Sequence, residues 1–235
     1  MAGTVLTVAS GKGGVGKTAT AVNVGLALQA AEENTVVVDA DLGTADLRDV
    51  LDLPAGGSIH EVLAGETALE SAVVQGPADL SMLAGDDSLT AFAMADPGEL
   101  ERVLRTLAAS FDRVVVDTGP AMARETVVPM RAADGVLLVT TPRAEAVADT
   151  RTTAALVERV GGTVVGAVLT RAAVDFDVAT VADRIGTEVL AVVPEFPADQ
   201  QGVPVLEADE SYAAQAYRTL ASKLADRLPT PERAA

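Results

Sequence analysis

Residues 11–18 read GKGGVGKT, and their surroundings constrain the fold more than any other feature of the chain. Before them stands TVLTVA (4–9), a short apolar run rich in β-branched residues that reads as a buried strand. After them, residues 17–31 place Ala21, Val24, Leu28 and Ala31 at helical spacing. A second strand, TVVVD, follows at 35–39. The order strand, glycine loop, helix, strand is a βαβ unit and predicts a parallel sheet. The pattern G-x-x-x-x-G-K-[ST] in that position has a chemical meaning. Glycines let the backbone N–H groups of Gly13 to Lys17 come close to an anionic pyrophosphate, and the helix N-terminus adds its positive end. Lys17 can reach β- and γ-phosphates, and Thr18 can offer its hydroxyl to Mg²⁺. The competing reading is an ordinary glycine turn before a helix. Eight matched residues in the right context weigh heavily against it.

The alternation continues along the chain. Strands are predicted at 80–83, 113–117, 135–140, 163–170 and 188–193, and helices at 98–109, 144–160 and 211–228. Continuous apolar strands with helices between them imply a sheet covered on both faces. At about 150 residues per domain, 235 residues allow one to two domains. The expected organisation is a single α/β domain over 1–228 and a short polar tail at 229–235. Residues 56–97 are the least regular stretch and carry several turn signals.

Composition excludes several classes. No cysteine is present, so this chain offers no disulfide, thiolate metal site or iron–sulfur ligation. Asp and Glu number 34 against 17 Lys and Arg, a formal charge of −17, which repels nucleic acid and anionic lipid. Only three lysines occur, Lys12, Lys17 and Lys223. The plain reading is an acidic soluble protein. The sharper one is a halophilic source, because near 1 M salt the Debye length falls to about 3 Å and self-repulsion is screened. There is no basic leader and no apolar run of about 18 residues, so the expected location is the cytoplasm, with no membrane anchor.

The string KGGVGKT resembles the deviant Walker A motif of the MinD/ParA family of positioning ATPases. The resemblance implies a P-loop NTPase fold and ATP with Mg²⁺ as ligands. Gly11, Lys12, Gly13, Gly14, Val15, Gly16, Lys17 and Thr18 would then cradle the phosphates. It also implies a role for Lys12, which by itself reads as a solvated loop lysine: reaching across a homodimer to the partner's nucleotide. That role is like an arginine finger supplied in trans, worth about 10³–10⁵ in rate in GTPases, with less expected from a lysine.

VVVDADLGTADL (36–47) is similar to the family's segment after its second strand. Asp39 and Asp41 form a D-x-D pair whose alternation puts both carboxylates on one side. A helix cap or turn would explain either aspartate alone. By resemblance, Asp41 positions the attacking water and Asp39 lies near the Mg²⁺ shell. FDRVVVDTGP (111–120) looks like the Walker B strand and second switch. It implies Asp117 as a Mg²⁺ ligand, with Thr118 matching the family's hydroxyl residue.

TTPRAEAVADT (140–150) and VPEFPADQQGVPVLE (193–207) are similar to later family segments. Thr170, Arg171 and Pro194 are the implied base contacts. Where the family commonly has an asparagine that reads adenine, this chain has Thr170, with one hydroxyl instead of an amide.

The remaining expectations concern single residues. The last helix offers Tyr212, Ala216, Leu220 and Leu224 to the sheet. His60 reads as a surface or capping residue. Arg124 and Glu125 suit either a partner contact or a solvated helix start. Met82, Met94, Met122 and Met130 read as core or interface filler.

By resemblance the function is a slow, partner-activated ATPase that dimerises around Mg-ATP and positions division, chemosensory or motility machinery through an unidentified protein partner. A DNA-partitioning ATPase of the ParA branch, which −17 argues against, stands as one alternative. A nucleotide-gated scaffold with little turnover stands as another, and an ATP-dependent amidoligase or synthetase as a weaker one.

Overall fold

In the computed structural model, residues 3–86, 89–120, 124–172, 177–195 and 211–231 are described. The strands are β1 (Thr4–Ala9), β2 (Thr35–Ala40), β3 (Val74–Gln75), β4 (Ser81–Leu83), β5 (Arg113–Thr118), β6 (Gly135–Thr140), β7 (Val164–Ala172) and β8 (Val189–Pro194). They form one sheet in the order β3-β4-β2-β5-β1-β6-β7-β8. Every neighbouring pair is parallel except β3 with β4.

The helices are α1 (Lys17–Ala30), α2 (Leu47–Val50), α3 (Ile59–Leu63), α4 (Leu69–Ala72), α5 (Leu89–Met94), α6 (Leu100–Ala108), α7 (Arg124–Ala132), α8 (Ala144–Arg159), α9 (Val178–Ile185) and α10 (Tyr212–Arg227). Alternate residues of each central strand serve opposite faces. Val115 joins Leu6, Val8, Leu28, Tyr217 and Leu220 in the core under α1 and α10. Val114 and Val116 join Leu100, Leu104 and Leu107 under α6. Farther along that face, Leu138 and Leu169 pack with Val147, Val157 and Ile185 from α8 and α9. Two covered faces explain why the strands are uninterrupted apolar runs.

Two details of packing differ from the sequence expectation. α1 is not amphipathic: Thr20 to Leu28 are all buried, and Ala31 lies exposed beyond its end. The cause is that α1 is covered twice, by the sheet beneath it and by α10, its neighbour on the same face. Gly25 lets α1 close on the sheet, since a Cβ there would stand 2.6 Å from Val37 Cγ2 on β2. On α10, Leu220 and Leu224 are buried as expected, but in the first turns the buried positions are Ala213, Ala214 and Tyr217, and Tyr212 is 83% exposed.

Residues 229–231 are not a detached tail at their start. The Pro229 carbonyl accepts hydrogen bonds from Thr4 Oγ1 (3.0 Å) and Arg113 Nη1 (3.1 Å), and Arg113 also pairs with Glu33. Among the methionines, Met82 and Met130 are core, Met94 is half exposed, and Met122 lies outside the described residues.

The topology fixes the site. β1 has β5 on one side and β6 on the other, so chain order diverges on either side of β1. In open α/β sheets, ligands bind at the carboxyl ends of strands around such a point. The glycine loop after β1, residues 41–46 after β2 and Gly119–Pro120 after β5 all lie there.

Candidate functional site

The glycine loop is shaped by its glycines and braced from behind. Gly14 and Gly16 take φ of 72° and 92°, the left-handed region that favours glycine. A Cβ on Gly11 would stand 2.4 Å from the Asp149 carbonyl, so only glycine lets α8 press against the loop. Ser10 Oγ donates to the Lys12 carbonyl (2.8 Å). α1 begins at Lys17 with no side-chain cap and no acidic residue in its first turn. Its leading N–H groups therefore suit an anion.

Two adjoining cavities open here. One, of about 310 Å³, is lined by Gly13, Gly14, Gly16, Lys17, Thr18, Asp41 and Asp46 among others. The second, of about 380 Å³, is lined by Lys12, Val15, Pro142, Arg143, Arg171 and Glu195 among others. They share Gly13, Gly14 and Arg171. Arg171 has φ of 53°, strained for a side-chain-bearing residue, where the β7–β8 register shifts.

Two carboxylates, Asp41 and Asp46, line the first cavity, and a third, Asp117, lies beside its Thr18. Asp117 is buried at the end of β5, opposite Asp39 on β2 and Val8 on β1. Burial pushes its carboxyl up to about 7; the Thr18 hydroxyl bond and the Lys17 charge oppose the rise, while Asp41 and Asp46 add to it. Its Oδ1 is buried without a hydrogen-bond partner. Asp46 is raised by burial and by Asp41. Gly119 must be glycine for Asp41 to approach, since a Cβ would stand 2.9 Å from Asp41 Oδ1.

An unpartnered buried carboxylate oxygen beside a threonine hydroxyl, all oxygen donors, fits a hard cation such as Mg²⁺. Among the described residues no cluster of three acidic or histidine side chains could cage a metal alone.

Several expected site residues are placed differently. Asp39 does not line the cavity with Asp41. Its Oδ1 accepts the Asp41 N–H (3.2 Å) and its Oδ2 the Leu47 N–H (3.3 Å), so it fastens the 41–47 segment. Burial and the charge of Asp117 hold its pKa well above the usual carboxylate range. Thr170 is 5% exposed, with Oγ1 2.6 Å from the Val15 carbonyl and 3.1 Å from the Thr140 carbonyl. Its one proton serves those carbonyls, so its hydroxyl braces the loop. Pro194 ends β8 and lines neither cavity, whereas the next residue, Glu195, lines the second.

Gly11 also lies off both cavities. The Thr118 hydroxyl donates to the Val8 carbonyl (2.9 Å) and ties β5 to β1. Lys12 is 47% exposed at its side chain, with Nζ 3.1 Å from Glu145 Oε2 on α8. Glu125 lies in the first turn of α7, while the Arg124 side chain and residues 196–207 fall outside the described residues. Thr44, Asp46, Arg143 and Glu195 were not foreseen. His60, expected as a surface or capping residue, is fully buried.

A glycine loop on a helix N-terminus, a buried lysine, a hydroxyl beside a cation-ready carboxylate and a neighbouring second cavity define a P-loop nucleotide-binding protein. Residues 3–163 match the family described as an AAA domain. The chain belongs to that family and is a P-loop ATPase of the MinD/ParA type.

It is 30% identical over 228 residues to an uncharacterized ATP-binding protein of Methanocaldococcus jannaschii, covering 93% of this chain and 86% of that one. It is similar to the cell division ATPase MinD of Pyrococcus furiosus, with a TM-score of 0.88 and 30% identity over 95% of this chain and 99% of that one. It is also similar to the septum site-determining protein MinD of Pyrococcus horikoshii complexed with Mg-ADP, with a TM-score of 0.86 and 28% identity over 94% and 95% of the two chains.

Proposed function

We propose that the chain binds Mg-ATP, dimerises around it, hydrolyses it slowly and acts as a nucleotide switch for positioning cellular machinery. The relatives' names support the ligand and the positioning role: one is complexed with Mg-ADP, and both named structures are MinD proteins. Lys17, Thr18 and the loop N–H groups bind the phosphates, and the second cavity receives the nucleoside beside Arg171 and Glu195. Thr18 and Asp117 would hold Mg²⁺, which when bound would supply charge neutralisation at the phosphates. Asp41 orients the attacking water at the cavity edge next to Gly119.

The observation that carries the switch is Lys12. It lines the second cavity, yet its ion pair with Glu145 lies in solvent, where such pairs contribute only about 0–1 kcal/mol. Little holds it in its own subunit, so it is free to reach a partner's nucleotide. Lys12→Ala should spare nucleotide binding and abolish dimer-dependent turnover, while Lys17→Ala should weaken binding itself. Fluorescent-nucleotide titration and phosphate release measure the two; equal loss of binding in both variants would contradict a role in trans. An unidentified protein partner sets location or activates hydrolysis. Partners recovered with ATP should disappear with ADP.

A further inference from the structure

The only histidine of the chain is fully buried, and both its ring nitrogens are used. Nδ1 accepts the Asp86 N–H at 3.0 Å, which leaves Nε2 to carry the proton and donate to the Leu42 carbonyl at 2.9 Å. The ring is therefore neutral in one tautomer. Its own placement is rigid. Ser58 and Glu61 form a capping box at the start of α3, Ile59, Val62 and Leu63 are buried, and the Ile59 N–H bonds the Ala84 carbonyl at 2.9 Å.

The Leu42 carbonyl belongs to the segment between β2 and α2. Three residues of that segment, Asp41, Thr44 and Asp46, line the phosphate cavity. Asp39 fastens it near both ends through the N–H groups of Asp41 and Leu47. Nothing from Asp39 reaches Leu42, and there His60 supplies the hold. Residues 84–86 close the far side: a Cβ on Gly85 would stand 2.2 Å from Ala45 Cβ, 3.4 Å from His60 Cε1 and 3.4 Å from Asp39 Oδ2.

We propose that His60 is a positioning residue for Asp41, acting by donating its Nε2–H to the carbonyl of the adjacent Leu42. This rests on the reading that Asp41 orients the water that attacks ATP. Losing the bond leaves the phosphate cradle intact and lets Asp41 drift, so the damage falls on the chemical step and not on nucleotide affinity.

The test compares His60→Gln, His60→Asn and His60→Leu with the unsubstituted protein. The glutamine amide N–H₂ reaches where Nε2–H stood; the asparagine carbonyl replaces Nδ1 only. His60→Gln should keep kcat within about twofold. His60→Asn and His60→Leu should lose about ten- to a hundredfold, the scale of a small misplacement of a reacting group, with KM for ATP within about twofold in all three. Amide exchange in nucleotide-free protein gives a second readout, with faster exchange across 41–47 in Asn and Leu but not Gln, and β1 and α1 protected throughout.

Equal effects of Gln and Asn on kcat, or unchanged exchange at 41–47, would overturn the proposal. If His60→Leu does not fold, the Gln and Asn pair still decides. If the unsubstituted protein binds Mg-ATP without hydrolysing it, the hydrolytic reading of Asp41 fails, and the exchange arm still shows whether His60 holds the segment.

Discussion

Asp117 is held in two opposed ways, and its carboxyl at about 7 records the balance: burial and the neighbouring aspartates favour the proton, Thr18 and Lys17 the charge. The unfolded value is close to about 4. Between those values the folded protein keeps a proton that the unfolded chain has released, so this group makes stability fall as pH rises through that window. Asp117→Asn removes the buried charge. Without nucleotide or Mg²⁺, it should raise Tm near neutral pH by a few degrees, flatten the decline between pH 4 and 7, and lose Mg²⁺-dependent nucleotide binding. Thermal melts across pH check this; an Asp117→Asn protein less stable than the unsubstituted one at pH 7 would contradict it.

What the sequence displays at this scale is whatever chemistry sits in a short contiguous string. The glycine loop, Lys17, Thr18 and Asp117 are legible because strand, turn and helix are consecutive. His60 is not legible, because its partners lie 18 and 26 residues away and only the fold brings them together. The hydroxyl bond of Thr170 is hidden for a related reason: its partner, the Val15 carbonyl, is 155 residues distant in sequence.

Elements with strong local signals stand where the pattern put them: β1, β5 and β6 match at their starts, and α8 begins at Ala144. Beyond the short helices between 47 and 94, α9 was not expected, and α7 only as one of two readings of Arg124 and Glu125. α7 contains Pro129, ordinarily a breaker; the Pro129 carbonyl instead accepts from Thr7 Oγ1 at 3.1 Å on the neighbouring strand. α9 did carry a readable signal, with Asp177 capping the N–H groups of Ala179 and Thr180 and Gly186 ending the helix at φ 85°. In the first turns of α10 the buried side is set by bulky Tyr217, with Ala213 and Ala214, while Leu220 and Leu224 farther on were legible.

The end of α10 is fastened by Arg113, which is 2% exposed and reaches both Glu33 and the Pro229 carbonyl. Breaking a buried ion pair from one side costs about 3–5 kcal/mol. Arg113→Ala should lower the unfolding free energy by about that amount without changing nucleotide affinity per folded molecule. A denaturant midpoint unchanged by the substitution would show that the pair contributes nothing.

Taken whole, the molecule is a sheet buried on both faces with one functional edge, where the loops after β1, β2 and β5 meet. Among the described residues no helix is long and apolar enough to cross a membrane. The chain carries −17, so two copies repel each other unless salt screens them. Association gated by nucleotide should therefore strengthen with salt, the opposite of an assembly held by charge attraction.

The most direct measurement is the light-scattering mass of Asp41→Ala in molar KCl, first with Mg-ATP and then with Mg-ADP. The substitution should hold ATP unhydrolysed. A mass that doubles with ATP and returns to that of one chain with ADP is the expected result. A constant single-chain mass with ATP demonstrably bound would contradict the switch and leave Lys12 without a role in trans.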